Sequence, residues 1–244
     1  MFSLENVPSE EEPKELETEI LTAQERENFK RFVNGTNNLF GKKYGLSVPE
    51  ENLPLVIKGT RPTFNDGGVN IMSGEKVSVI KVEDVDQLSE GKNLGEEMSH
   101  FYRSHFRPNH KEMITDEFFG WLGRRLLFEA TQKKDGTSDF FPDGKPQIDA
   151  STKRRVIERT KETKRGLRNI TKSFTDGKLT IKEVAEKRKP LVDSRKRDTY
   201  HFRGYEFASK VDLSKIKNWQ KLYSMPDQEV RKRFFTSNPD YSGL

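Results

Sequence analysis

The chain has 244 residues, of which 32% are apolar and 34% charged, with a net charge of +5 and no cysteine. Disulfides, thiolate metal sites and cysteine nucleophiles are thereby excluded. No apolar run approaches the ~18 residues of a membrane helix, so no membrane role is expected. Even with its glycines added, the apolar share stays below the usual ~45–50%. A core is affordable, but part of the chain must be solvated.

Residues 1 to 20 hold seven Glu, one Lys and two Pro and read as an acidic flexible arm. A targeting peptide would be basic there, so the expected compartment is the cytoplasm. Thr22-Ala-Gln-Glu25 has capping-box spacing and should open a helix to about Tyr44 that buries Phe29, Phe32, Val33 and Phe40. LPLVIKG reads as a strand cut off by Arg61-Pro62. TFNDGGVNIMSGEKVSVIKVED reads as strand, turn and strand, with Asp66-Gly67-Gly68 as the turn and VNIM opening the second part.

A helix from about Asn93 to Phe106 follows, and Pro108 ends it. Leu94, Met98, Phe101 and His105 share its apolar face, with Glu96, Glu97 and His100 beside it. Thr115 is placed to cap a second helix with Phe118, Phe119, Leu122 and Leu126 inward. After a loop, 151 to about 172 form a basic helix broken near Asp176-Gly177. LTIKEVAEKRK should be a charged helix that stops before Pro190, HFRGYEFASKV a new one, and SMPDQEVRKRFF a short last one. The fold class is α+β: a small antiparallel or mixed sheet, then a mostly helical body. Four parts are expected, namely an arm (1–20), a core (21–140), a basic helical insertion (151–199) and C-terminal helices packing on the core (200–244).

Three of the four histidines fall between 100 and 110, and Glu96-Glu97-Met-Ser-His100 stands first among them. Positions i and i+4 of a helix project side by side, so Glu96 and His100 could share one metal ion. Glu97 would sit just off that ion, where a carboxylate can take a proton from bound water. His105 is expected to pack and His110 to be exposed. A second reading takes Glu97-x-x-His100 as half of a di-iron carboxylate site, but that site needs two such motifs and the chain shows one. The bland reading makes Glu96 and Glu97 ordinary first-turn acids of a helix, favoured by its dipole, with Glu117 in the same position of the next helix.

The order of parts, strands at about 69 to 82, then LGEEMSHFYR, then TDEFFGWLG carrying Glu117, resembles a small gluzincin (thermolysin-like) zincin metallopeptidase over residues 50 to 130. The motif here is an EExxH variant of HExxH. The resemblance implies a metal-dependent hydrolase acting on a peptide or protein. One divalent ion would be held by Glu96, His100 and Glu117, with Glu97 as general base. It also implies that His201 and Tyr205, four apart on a downstream helix, face the Glu97–His100 cleft as oxyanion donors. Glutamate in place of the first histidine makes the site harder, so Mn or Fe become candidates beside Zn.

Residues 151 to 200 hold 17 Lys or Arg against 7 Asp or Glu, a local net of +10. Aromatics are nearly absent, and no groove-reading motif is present. The segment is either a solvated helix with i, i+4 ion pairs or a surface for nucleic acid or an acidic partner. The alternative function is accordingly a noncatalytic, zincin-like or interaction protein working through this segment. No P-loop, dinucleotide fingerprint or G-x-S-x-G elbow occurs.

Overall fold

A computed structural model describes residues 22–58, 63–69, 76–82, 92–108, 110, 112–142, 144–148 and 150–244. The expected arm at 1–20, the Arg61-Pro62 stop and VNIM beyond Val69 lie outside the described residues.

Helix α1 (Ala23–Tyr44) opens on the expected reciprocal cap. The Thr22 hydroxyl accepts from the Glu25 N–H, while the Glu25 carboxylate accepts from the Thr22 N–H at 2.8 Å. Gly45, at φ 65°, ends it in the left-handed region that glycine adopts without strain. Val33 and Phe40 are buried and Phe32 partly so, while the Phe29 side chain lies outside the described residues.

Strands β1 (Leu55–Lys58), β2 (Thr63–Val69) and β3 (Lys76–Val82) form a sheet in the order β1-β3-β2. β1 runs parallel to β3 and β2 antiparallel to it. Asp66-Gly67-Gly68 is not the turn between two strands. Asp66 pairs with Ser78 and Gly68 with the adjacent Val77, so Gly67 is the extra residue of a bulge inside β2. Glycine suits a bulge because it has no side chain to place.

Helix α2 (Lys92–Phe106) carries EEMSH. It has begun by Lys92, so Glu96 and Glu97 lie beyond its first turn and the helix dipole does not account for them. Leu94, Met98, Phe101 and Tyr102 are buried. His105, expected to pack, is exposed at the helix end, its ring resting against Phe101 and Phe106. Helix α3 (Met113–Thr131) starts ahead of Thr115, whose hydroxyl donates to Glu112 O within the first turn at 2.7 Å instead of capping from outside. Phe118, Phe119, Leu122 and Leu126 are fully buried.

α2 and α3 meet backbone to backbone at two glycines. A Cβ on Gly123 would lie 2.1 Å from Gly95 O, and one on Gly95 would lie 2.9 Å from Gly123 O. Only hydrogen at both positions permits this approach.

Helices α4 (Ala150–Thr175) and α5 (Ile181–Lys210) pair through a turn at Asp176-Gly177, the break expected there. The stop before Pro190 is absent: α5 is one 30-residue helix with Pro190 inside it. Pro190 costs the hydrogen bond to Glu186 O, but both residues are exposed, so water can satisfy the freed carbonyl. The helix packs on α4 at Leu191 and Asp198 and on α3 at His201 and Gly204. The boundary expected near residue 199 therefore falls inside a helix.

Short helices α6 (Trp219–Ser224) and α7 (Asp227–Phe234) close the core. Arg103, fully buried, ties them to α2 by donating to Tyr223 O and to the Asp227 carboxylate, with its guanidinium 4.5 Å from the Phe119 ring centre. Buried Arg125 of α3 donates to Ala208 O and Val211 O and so caps the end of α5. The whole is an α+β chain, mostly helical with a small sheet. Among the described residues, no helix is long and apolar enough to cross a membrane.

Candidate metal centre

The site lies where α2, α3 and α5 cross. Glu96 of α2, Glu117 of α3 and His201 of α5 each bring a ligand atom within 4.8 Å of the others. Their side chains are 13%, 20% and 33% exposed. The group is thus shielded on its α2 and α3 sides and reachable from solvent at His201.

Glycines make the meeting possible. A Cβ on Gly120 would lie 2.8 Å from His100 Nε2 and 3.0 Å from Glu96 Cγ, so Gly120 leaves the space these side chains fill. A Cβ on Gly204 would lie 2.7 Å from the Glu117 backbone carbon, so Gly204 lets α5 press against α3 at Glu117.

His201 Nδ1 donates to Glu117 Oε2 at 2.7 Å, because a carboxylate can only accept. Its ring stands against Trp121, with centroids 5.4 Å apart, and Trp121 also packs on Tyr205 at 4.9 Å. Arg124 pairs with Glu96 Oε2 and lies over the Trp121 ring at 4.4 Å. Glu117, Gly120, Trp121 and Arg124 occupy one face of α3 at i, i+3, i+4 and i+7.

His100 is adjacent but engaged elsewhere. Its Nδ1 donates to Asp116 Oδ1 at 3.0 Å, and the same oxygen accepts from His110 Nε2 at 3.2 Å. His100 Nε2 is 3.9 Å from Glu96 Oε1, beyond hydrogen-bond length. His110, expected to be exposed, is partly buried by this bond.

Burial works against the Glu96 carboxylate, yet Arg124, with His100 and His201, outweighs it and holds its pKa at about 2. Burial likewise disfavours a charged His100, but Asp116 prevails and its pKa lies well above the usual imidazole value. Burial would raise Asp116, and His100 and His110 hold it low instead. Burial opposes charge on His201, and Glu117 overcomes it, raising its pKa.

Of the six residues singled out from the sequence, the structure brings together Glu96, Glu117 and His201. His100 stands one contact away, where Asp116 orients it. Glu97 is 6% exposed and adds its negative charge to those favouring protonated His100. Tyr205 is a partly buried aromatic that packs on Trp121, with ring centroids 4.9 Å apart. Sequence reasoning missed Asp116, Gly120, Trp121 and Arg124. The one-face spacing of the last three with Glu117 was readable, but which helix they would face was not. No family model, curated protein or solved structure matches the chain.

Proposed function

We propose that the protein is a divalent-metal-dependent hydrolase whose ion is held by Glu96, Glu117 and His201. One observation carries this reading: three ligand-bearing side chains from three different helices come within 4.8 Å of one another in a largely shielded place. Burying two carboxylates together is costly unless cations join them. Arg124 supplies one positive charge beside Glu96. A divalent ion would supply more, in competition with Arg124 and with the His201–Glu117 hydrogen bond. Two carboxylates and one imidazole suit Mn²⁺, Fe²⁺ or Zn²⁺.

His100, held protonated by Asp116 with Nε2 3.9 Å from Glu96 Oε1, is placed to give a proton beside the ion site, whereas the EExxH resemblance assigned the taking of a proton to Glu97. A zincin-like peptidase is the finer form of this proposal. It is supported by the order of small sheet, EEMSH helix and Glu117 helix, with a peptide or protein as the substrate class.

The test is metal content. Full-length protein dialysed after separate exposure to Zn²⁺, Mn²⁺ and Fe²⁺ is expected to retain about one ion per chain by elemental analysis. Hydrolysis of a mixed peptide library should then vanish with chelator and return with that metal. Retention of none of the three would overturn the proposal. Retention without hydrolysis would overturn the peptidase form of it.

A further inference from the structure

The outer face of α4 carries a second kind of chemistry. Arg154, Lys161, Arg165, Arg168 and Lys172 follow one another at steps of 7, 4, 3 and 4 residues. These steps place them on one face of the helix. Over 18 residues the row is about 27 Å long, at 1.5 Å per residue. All five are exposed. The opposite face is the one that meets α5. There Thr163 is buried, Gly166 lies against Leu191, and Arg159 pairs with Asp198 at 3.2 Å.

Among the described residues, none of these five cations forms an ion pair. Among described residues from 150 to 200, the ion pairs are Arg159 with Asp198 and Lys178 with Asp176. Among the described residues the i, i+4 pairs expected along α4 do not form: Glu158, four positions from Arg154, is bonded to neither Arg154 nor Lys161, and the i, i+4 neighbours of Glu162 are Glu158 and Gly166. The core behaves differently, since Arg103 and Arg124 both hold carboxylates there. A straight row of unpaired cations is what a regular line of phosphates would meet.

We propose that this face of α4 binds the phosphate backbone of a nucleic-acid duplex without reading its sequence. Other anionic partners fit less well. Single strands are held by stacking on aromatic rings, and this row has none. An anionic membrane would need an apolar face next to the cations, but the apolar face of α4 is spent on α5. A protein partner would need buried aromatic or aliphatic anchors, and among the large apolar side chains only Ile157, 48% exposed, lies beside the row.

The test uses the full chain and a 30-base-pair DNA duplex in several unrelated sequences, titrated from low to physiological salt. Binding is expected to be independent of sequence, with log K falling against log salt at a slope of about −4 to −5 for five contacts. Arg165→Glu with Arg168→Glu should weaken binding at least tenfold at low salt. Arg165→Lys with Arg168→Lys should bind within about twofold of the parent, and so should the body control Lys42→Gln with Lys232→Gln. Circular dichroism checks that the variants remain helical, as is expected of exposed positions. Four results would overturn the proposal: no binding at low salt, equal loss in the body control, a strong preference for one sequence, or binding to phosphatidylglycerol vesicles but not to the duplex.

Discussion

His201 Nδ1 and Glu117 Oε2 are 2.7 Å apart although 84 positions separate them in the chain. The contact joins α5 to α3 at the place where Gly204 removes a side chain from between them. It selects one histidine out of four as the partner of the two glutamates. Helix spacing had pointed to His100 for that place.

If Glu96, Glu117 and His201 hold the metal, His201→Ala should reduce bound metal from about one ion per chain to near none. His100→Ala should retain most of it and lose turnover instead, because a positioned acid–base group is worth ~10²–10³ or more. Elemental analysis of the two variants decides. The reverse pattern would return His100 to the ligand set and remove His201.

Arg124 pairs with Glu96 and repels any cation placed there. Arg124→Gln should therefore tighten divalent-metal binding by about tenfold, a modest effect for one partly shielded charge. Without added metal, the same variant should melt at a lower temperature, because Glu96 and Glu117 then lack that countercharge. Calorimetric titration measures the first effect and a melting curve with and without metal measures the second. Weaker metal binding in Arg124→Gln would show that Arg124 supports the site.

Two glycine substitutions on α3 should behave differently. The added methyl of Gly123→Ala meets the Gly95 backbone at 2.1 Å, and backbone cannot swing away. A loss of about 1–3 kcal/mol or more in chemical denaturation is expected. The methyl of Gly120→Ala meets the ring of His100 and Cγ of Glu96, side-chain atoms rather than backbone. That variant should keep most of its stability and lose metal affinity instead. Equal destabilisation by both would mean that Gly120 serves only packing.

Pro190 stands inside α5 and is exposed. Proline is ~3 kcal/mol worse than alanine in a helix interior. Pro190→Ala should strengthen the helix around it by a sizeable part of that amount. Slower amide exchange over residues 186 to 194 is the readout, since local opening there need not involve the core. Unchanged or faster exchange would show that the helix is held open or bent at this point for another reason.

Local features were legible in the sequence wherever a short stretch decides its own conformation. The Thr22–Glu25 cap, the start of α5 at Thr180, the break at Asp176-Gly177 and the inward face of Phe118, Phe119, Leu122 and Leu126 all follow from neighbouring residues. Glu96 and Glu117 were singled out together by resemblance, from the order of small sheet and two helices. Where a local rule met tertiary packing, packing prevailed. Pro190 stands inside one continuous helix, and Leu191 next to it packs on Gly166 of α4. Gly67 became a bulge because β3 fixes the register of β2 across it.

The third member of the site lay beyond such rules. By i, i+4 spacing, His100 is the natural partner of Glu96, but Asp116 of the next helix takes its Nδ1. His201 reaches Glu117 only because Gly204 allows two backbones to touch. Composition, charge, caps and helix faces are set by residues a turn or two apart, and the sequence by itself determined them. Which faces meet, and therefore which side chains share one small volume, depends on the summed packing of helices distant in the chain, and only the tertiary structure decided it.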